Sequence, residues 1–159
     1  MSLLKSTTRG AKRLAGDLVG LSRVLTPSDA MRYAATAAGS LVMVARARTL
    51  APVDARMAGR RYAVRLGRAH MSIRGEHFSG IREMYARSVY FVEPRCQLPR
   101  SGWVVDLGAN VGLFTLLAAC SGLRVVAVEA QPGFVPEILR NLQDNQVDAA
   151  KVKVLCGLL

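Results

Sequence analysis

Two spacings of apolar residues alternate along this chain. Leu14, Leu18, Leu21 and Leu25 recur on one side of a helix expected within residues 1–25, with Arg9, Lys12 and Arg13 beside that face. Thr26-Pro27-Ser28-Asp29 marks a second helix start: Thr26 can cap, Pro27 sits at the first helical position and Asp29 at the third. Tyr33 to Ala45 follows as thirteen residues rich in Ala, Leu, Val and Met. That is too short for ~30 Å of hydrocarbon, which takes ~20 residues, so it reads as a buried or partner-facing helix. Ala51-Pro52 is expected to end it. The period drops to two at Arg61–Leu66 and Ala69–Arg74, and the Gly67-Arg68 pair between them fits a type II′ hairpin turn. Helical spacing returns from Glu76 to Phe91, with Phe78, Ile81, Met84, Tyr85 and Val89 as the apolar positions. Arg95 to Gly102, with Pro94 and Pro99, reads as a linker.

Beyond the linker the pattern changes character. Trp103 to Leu107 is a short apolar run containing one acid, the signature of a buried strand. Gly108-Ala109-Asn110-Val111-Gly112 is a tight turn. Leu113 to Cys120 is an almost wholly apolar helix that Gly122 can stop, and Arg124 to Glu129 is a second apolar run closed by an acid. The unit is β-α-β, whose crossover helix makes the two strands parallel neighbours. Lys151 to Leu155 looks like a third parallel strand. In such sheets a ligand occupies the crevice at the carboxyl ends of the strands, beside the glycine loop. Gly108 and Gly112 allow close backbone approach, and the helix that starts near Gly112 aims its positive end there. Glu129 lies 17 residues past Gly112, where dinucleotide folds place an acid against a ribose hydroxyl. No Lys-Ser/Thr pair ends the loop, which argues against a phosphate loop. The Gly-x-x-x-Gly spacing weakens a nicotinamide reading.

Asp106-Leu107-Gly108-Ala109-Asn110-Val111-Gly112, followed by Phe114-Thr115, resembles the first motif of the FkbM-type S-adenosylmethionine-dependent methyltransferases, D-x-G-A-N-x-G-x-F-T. The second half resembles that family's E-P-x-P-x-x-F-x-x-L-x-x-N-L-x-x-N pattern: Glu129, Pro132, Asn141, Leu142 and Asn145 match in register. Ala130, Val135 and Ile138 depart from it. The resemblance covers Trp103 to Asn145. It implies a Rossmann-like α/β fold with S-adenosyl-L-methionine as cofactor. It assigns Gly108, Ala109, Asn110 and Gly112 to the loop around the methionine and ribose portions. Asp106 would fix that loop or reach the methionine amino group, Glu129 would bind the ribose hydroxyls, and Gln131 would lie under the adenine. The family's usual reaction is O-methylation of small molecules or sugars. No catalytic base can be named; Glu83 and Tyr90 stand where an acid and a tyrosine are expected in the segment that precedes the core, and packing or hydrogen bonding is the favoured role of each.

Charge is unevenly divided. Of the net +11, residues 1–100 contribute 18 basic and 6 acidic side chains, and residues 101–159 contribute 4 and 5. The arginines are spread singly, with no basic run longer than two and no interleaved aromatics, so no nucleic-acid surface is marked. For the N-terminal helix, docking on the domain or a frayed terminus is favoured over a membrane-surface contact. Cys96, Cys120 and Cys156 form no C-x-x-C pair, so neither a zinc site nor a disulfide framework is indicated. They suit a reducing cytoplasm, with Cys120 and Cys156 as small core residues. His70 and His77 have no metal partner in the sequence pattern. No signal peptide is evident.

The expected organisation is a basic, mostly helical extension over residues 1–60, a hairpin and helix over 61–100, and a β-α-β-α-β half of a class I methyltransferase domain over 101–159. The sheet is expected to stop after its third parallel strand, in the order 3-2-1. The chain alone is therefore expected to be an inactive fragment without the acceptor half. Three functions compete: a methyltransferase or its N-terminal part, a non-catalytic cofactor- or partner-binding module, and an NAD-linked oxidoreductase.

Overall fold

The computed structural model describes residues 14–89 and 97–157, which fall into two compact units. Arg9, Lys12, Arg13, Tyr90, Phe91, Pro94, Arg95 and Cys96 lie outside the described residues. Among the described residues the first unit spans 14–64 and 73–89, and the second 65–72 and 97–157.

The first unit is helical. Helix α1 (14–24) buries Leu21 and Val24. Helix α2 (Pro27–Ala38) starts as expected: the Thr26 hydroxyl accepts from the Asp29 amide at 3.3 Å and donates to its carboxylate at 2.8 Å. The expected single helix through Ala45 is instead two. Gly39 caps α2, which buries Tyr33 and Ala37, and α3 (Leu41–Ala47) follows with no buried residue, so only the first part of the Tyr33–Ala45 stretch is core. Ala51-Pro52 also begins a helix, α4 (Ala51–Met57), and does not end one. Proline lacks the N–H that a first turn does not need, so it opens a helix as readily as it closes one.

Strands β1 (Arg61–Leu66) and β2 (Ala69–Arg74) pair as a hairpin at the expected bounds. Gly67 has φ +56° while Arg68 keeps negative φ, as a II′ turn requires. Tyr62, Val64 and Ile73 belong to the first unit, and the turn side (65–72) to the second. The next helical segment has mixed pitch and ends earlier than expected. A 3₁₀ turn (Gly75–His77) leads through one α turn, α5 (Phe78–Gly80), into a π-helix (Ile81–Ala86), and Ser88 at φ +52° has left helical geometry. Phe78, Ile81 and Tyr85 are buried as the spacing predicts, whereas Val89 is exposed. The Phe78 ring stacks on Tyr33 at 5.7 Å and meets Tyr62 edge-on at 4.9 Å.

Charges are buried beside these rings. Arg82 forks onto Asp54 at 3.2 and 2.7 Å, and Arg87 onto Asp17 at 2.5 and 2.7 Å. Arg82 Nη1 has no hydrogen-bond partner among the described residues; the carboxylates of Asp17 and Glu83 lie 3.6 and 3.7 Å away. Burial pushes the Tyr33 hydroxyl well above the ordinary tyrosine range, helped by the neighbouring Asp17 carboxylate. Glu83 is thereby an ion-pair partner of this arginine cluster.

The second unit is α/β. Strands β3 (Trp103–Leu107), β4 (Arg124–Glu129) and β5 (Val152–Cys156) form a parallel sheet in the order β3-β4-β5. This is the 3-2-1 order read from sequence. Helix α6 (Leu113–Cys120) connects β3 to β4, and α7 (Val135–Asp144) connects β4 to β5. Register places Val104, Val125 and Val152 side by side on one face, where Ala118, Ala119 and Leu123 pack over them. The other face carries Trp103, Val105 and Leu107 on β3, all 59–61 % exposed, and Leu155 on β5 at 40 %. The expectation that Trp103–Leu107 is a buried strand is thus half right. Its pairing and one face are as expected, but the face bearing Trp103, Val105 and Leu107 meets solvent. Arg124 lies 5.6 Å from the Trp103 ring centre. Cys156 is exposed and is not a core residue; Cys120 is half-buried, and burial pushes its thiol up.

Candidate functional site

The carboxyl ends of β3 and β4 converge on Glu129. Its side chain is buried, and both oxygens already accept from backbone: Oε2 from the Asn110 amide at 2.6 Å and Oε1 from the Gln131 amide at 2.8 Å. Those bonds, led by Gln131, hold the carboxyl below its ordinary range, so it is an anion at neutral pH. One side chain therefore locks the loop after β3 to the loop after β4. The Ala130 amide also favours the anion, so of about four lone-pair directions on the carboxylate one is left for a hydroxyl donor arriving from the crevice.

The glycine loop is folded on itself. The amides of Gly108 and Ala109 both donate to the Val128 carbonyl, at 2.9 and 3.0 Å, and the Gly112 amide donates to the Ala109 carbonyl at 2.7 Å. The two glycines have different reasons to be glycine. Both have left-handed φ, +75° at Gly108 and +78° at Gly112. A Cβ on Gly112 would sit 3.0 Å from the Ile138 side chain, so this glycine lets α7 pack against the loop. A Cβ on Gly108 would meet nothing within 4 Å, which leaves open space over the loop. Asn110 is also left-handed, at φ +51°, a region asparagine tolerates.

Asp106 faces the helix side of the sheet and accepts a hydrogen bond from the Thr115 hydroxyl of α6. Burial pushes its carboxyl up; the Thr115 bonds oppose that, and the nearby Glu129 charge adds to it. Asp106 thus ties the two ends of the loop together. Asn141 of α7 donates to the Val111 carbonyl at 2.7 Å and holds the middle of the loop. Asn145 treats β2 as another strand would: its side chain accepts from the Ser72 amide at 2.6 Å and donates to the Ser72 carbonyl at 2.9 Å.

The seven residues singled out for a cofactor, Asp106, Gly108, Ala109, Asn110, Gly112, Glu129 and Gln131, come together at one sheet end. Asp106 and Gly112 face inward as supports. Gly108, Asn110 and Gln131 are exposed, and Ala109 is buried. Sequence reasoning missed the parts played by Thr115 and Asn141. The signal available was a polar residue on an otherwise apolar helix face in each case. Neither histidine joins the site: His70 is exposed, and His77 Nε2 lies 3.4 Å from Arg74. Among the described residues no His, Cys, Asp and Glu cluster suits a metal ion. An open hollow of about 410 Å³ lined by Asp29, Arg32, Arg60 and Arg61 belongs to the first unit and contains none of these residues. No helix among the described residues is long and apolar enough to cross a membrane.

No protein-family model matches the chain, and no curated protein matches it.

Proposed function

We propose that the second unit is the donor-binding half of an S-adenosyl-L-methionine-dependent methyltransferase of the FkbM type, acting on a hydroxyl of a small molecule or sugar. The observation that carries this reading is how the loop uses its own amides. Gly108, Ala109, Asn110 and Gly112 all donate inward, to Val128, Glu129 and Ala109. A dinucleotide loop needs such amides for a pyrophosphate. A loop with four of its five amides already engaged suits a ligand without phosphate, recognised through its ribose at Glu129 and through open space at Gly108. This favours S-adenosyl-L-methionine over NAD.

The sulfonium of the bound cofactor would supply an electrophilic methyl group. The chain's own residues would bind and orient it. Glu129 would accept from the ribose hydroxyls, Gly108 would leave room for close approach, and Gln131 would lie along the adenine. Asp106, Thr115 and Asn141 would hold the loop in shape. Positioning of this kind is a large part of catalysis by displacement. A cofactor-binding module without turnover is the second reading. It is favoured by the exposure of Gly108, Asn110, Ala130 and Gln131, because methyl transfer calls for exclusion of water.

Calorimetry with S-adenosyl-L-methionine and with NAD tests the assignment. The proposal expects binding of the first and not the second, with affinity lowered roughly tenfold or more in Glu129→Ala, the scale of hydrogen bonds to a charged group. Preference for NAD, or unchanged affinity in a folded Glu129→Ala, would remove the assignment.

A further inference from the structure

We infer that the first unit carries a peripheral contact for an anionic lipid surface, built on α3. The helix reads Leu-Val-Met-Val-Ala-Arg-Ala, and none of its residues is buried. Leu41, Val42 and Met43 are 54 %, 65 % and 47 % exposed. At about 100° per residue these three, with Ala45, sweep more than half of the helix circumference, and Arg46 falls between Val42 and Met43. A two-turn helix with no buried face gains little from its own propensity, so its apolar surface is the feature left to explain.

Charge selects the occupant. No acidic residue lies between Asp29 and Asp54, whereas Arg32, Arg46 and Arg48 do, and all three are exposed. Two of the unit's acids, Asp17 and Asp54, are consumed by the forks from Arg87 and Arg82. The stretch that carries α3 is therefore apolar with positive charge. An arginine within an aliphatic arc extends its stem along the apolar layer and lifts its guanidinium to the headgroups. Aliphatic side chains interleaved with arginines, and no acid among them, match the apolar layer and negative charge of an anionic lipid interface. Arg56 holds the start of the helix in place by donating to the Gly39 carbonyl at 3.3 Å and to the Ser40 hydroxyl at 3.1 Å.

Co-sedimentation of the full chain with vesicles tests this. Binding is expected to phosphatidylcholine vesicles containing phosphatidylserine, and not to phosphatidylcholine alone, and it should weaken with salt. Val42→Asp combined with Met43→Asp should lower binding at least tenfold. Arg46→Ala combined with Arg48→Ala should lower it by roughly fivefold per arginine. Because α3 buries nothing, circular dichroism should show both variants folded. Three results would overturn the inference: no vesicle binding, equal binding to neutral vesicles, or unchanged binding by the folded aspartate variant. Self-association without vesicles that Val42→Asp abolishes would make a second copy the occupant and overturn it as well.

Discussion

At Glu129 a single carboxylate closes two backbone turns, and beside it Asp106 closes a third contact to Thr115. The two acids shift in opposite directions and leave opposite signatures in stability. Glu129 is held below its ordinary range, so its contribution is present above the unfolded value and is lost as pH falls through the folded one. Asp106 is raised by burial, so the folded state keeps its proton longer, and stability falls as pH rises from the model-compound value 3.8 through the raised folded value. Asp106→Asn keeps an oxygen for the Thr115 hydroxyl and removes the charge. Urea unfolding from acidic to neutral pH, starting at the ordinary carboxyl value, should show the variant losing less stability than the parent as pH rises. Parallel curves would contradict the buried, ionising Asp106. The two loop glycines separate in the same way. Gly108→Ala should cost only the left-handed backbone, about 1–2 kcal/mol. Gly112→Ala should cost more, since its methyl also meets Ile138 at 3.0 Å. Equal losses in denaturant would show that the Ile138 contact yields freely.

Among the elements, those whose residues carry both a period and a stop signal were legible from sequence. Leu113 to Cys120 is apolar and ends where Ser121 and Gly122 cap it, and the observed helix has those bounds. The hairpin is similarly fixed by alternation and by Gly67. The helical region before it was less legible, because alanine-rich sequence carries little period and Pro52 signals a boundary without saying which side is helical. The buried ion pairs were missed, although Asp17 shares a helix face with Leu21 and Val24, and Arg82 stands beside Ile81 in an apolar pattern. Helix α7 offers a direct check of which face packs. Ile138 is fully buried and its neighbour Leu139 is 52 % exposed. Ile138→Ala should cost about 2–5 kcal/mol, and Leu139→Ala should stay within about 0.5 kcal/mol. Comparable losses in chemical denaturation would mean that α7 is rotated from the orientation described.

For the molecule as a whole, sequence could show that β3 is apolar on both faces but not what would cover each. One face packs under α6; the other presents Trp103, Val105 and Leu107 to water. A parallel sheet is ordinarily covered on both faces. Trp103 is the chain's single tryptophan and reports this directly. Its emission should lie at the long-wavelength end expected of a hydrated indole, and accessible quenchers should reach it. Blue-shifted, protected emission would show that the face is covered in solution. The proposed donor site was legible to the extent that its chemistry sits in one continuous stretch, Asp106 to Gln131. An acceptor pocket draws residues from separate elements and leaves no local pattern.

We propose that the crevice between the loops after β3 and β4 holds S-adenosyl-L-methionine. Amide NMR of the isotopically labelled chain during titration with that compound tests it most directly. Saturable shifts are expected at Gly108, Asn110, Glu129 and Gln131, with little change at the amides of α3. Absence of shifts in the folded chain, or shifts that avoid these four residues, would contradict it.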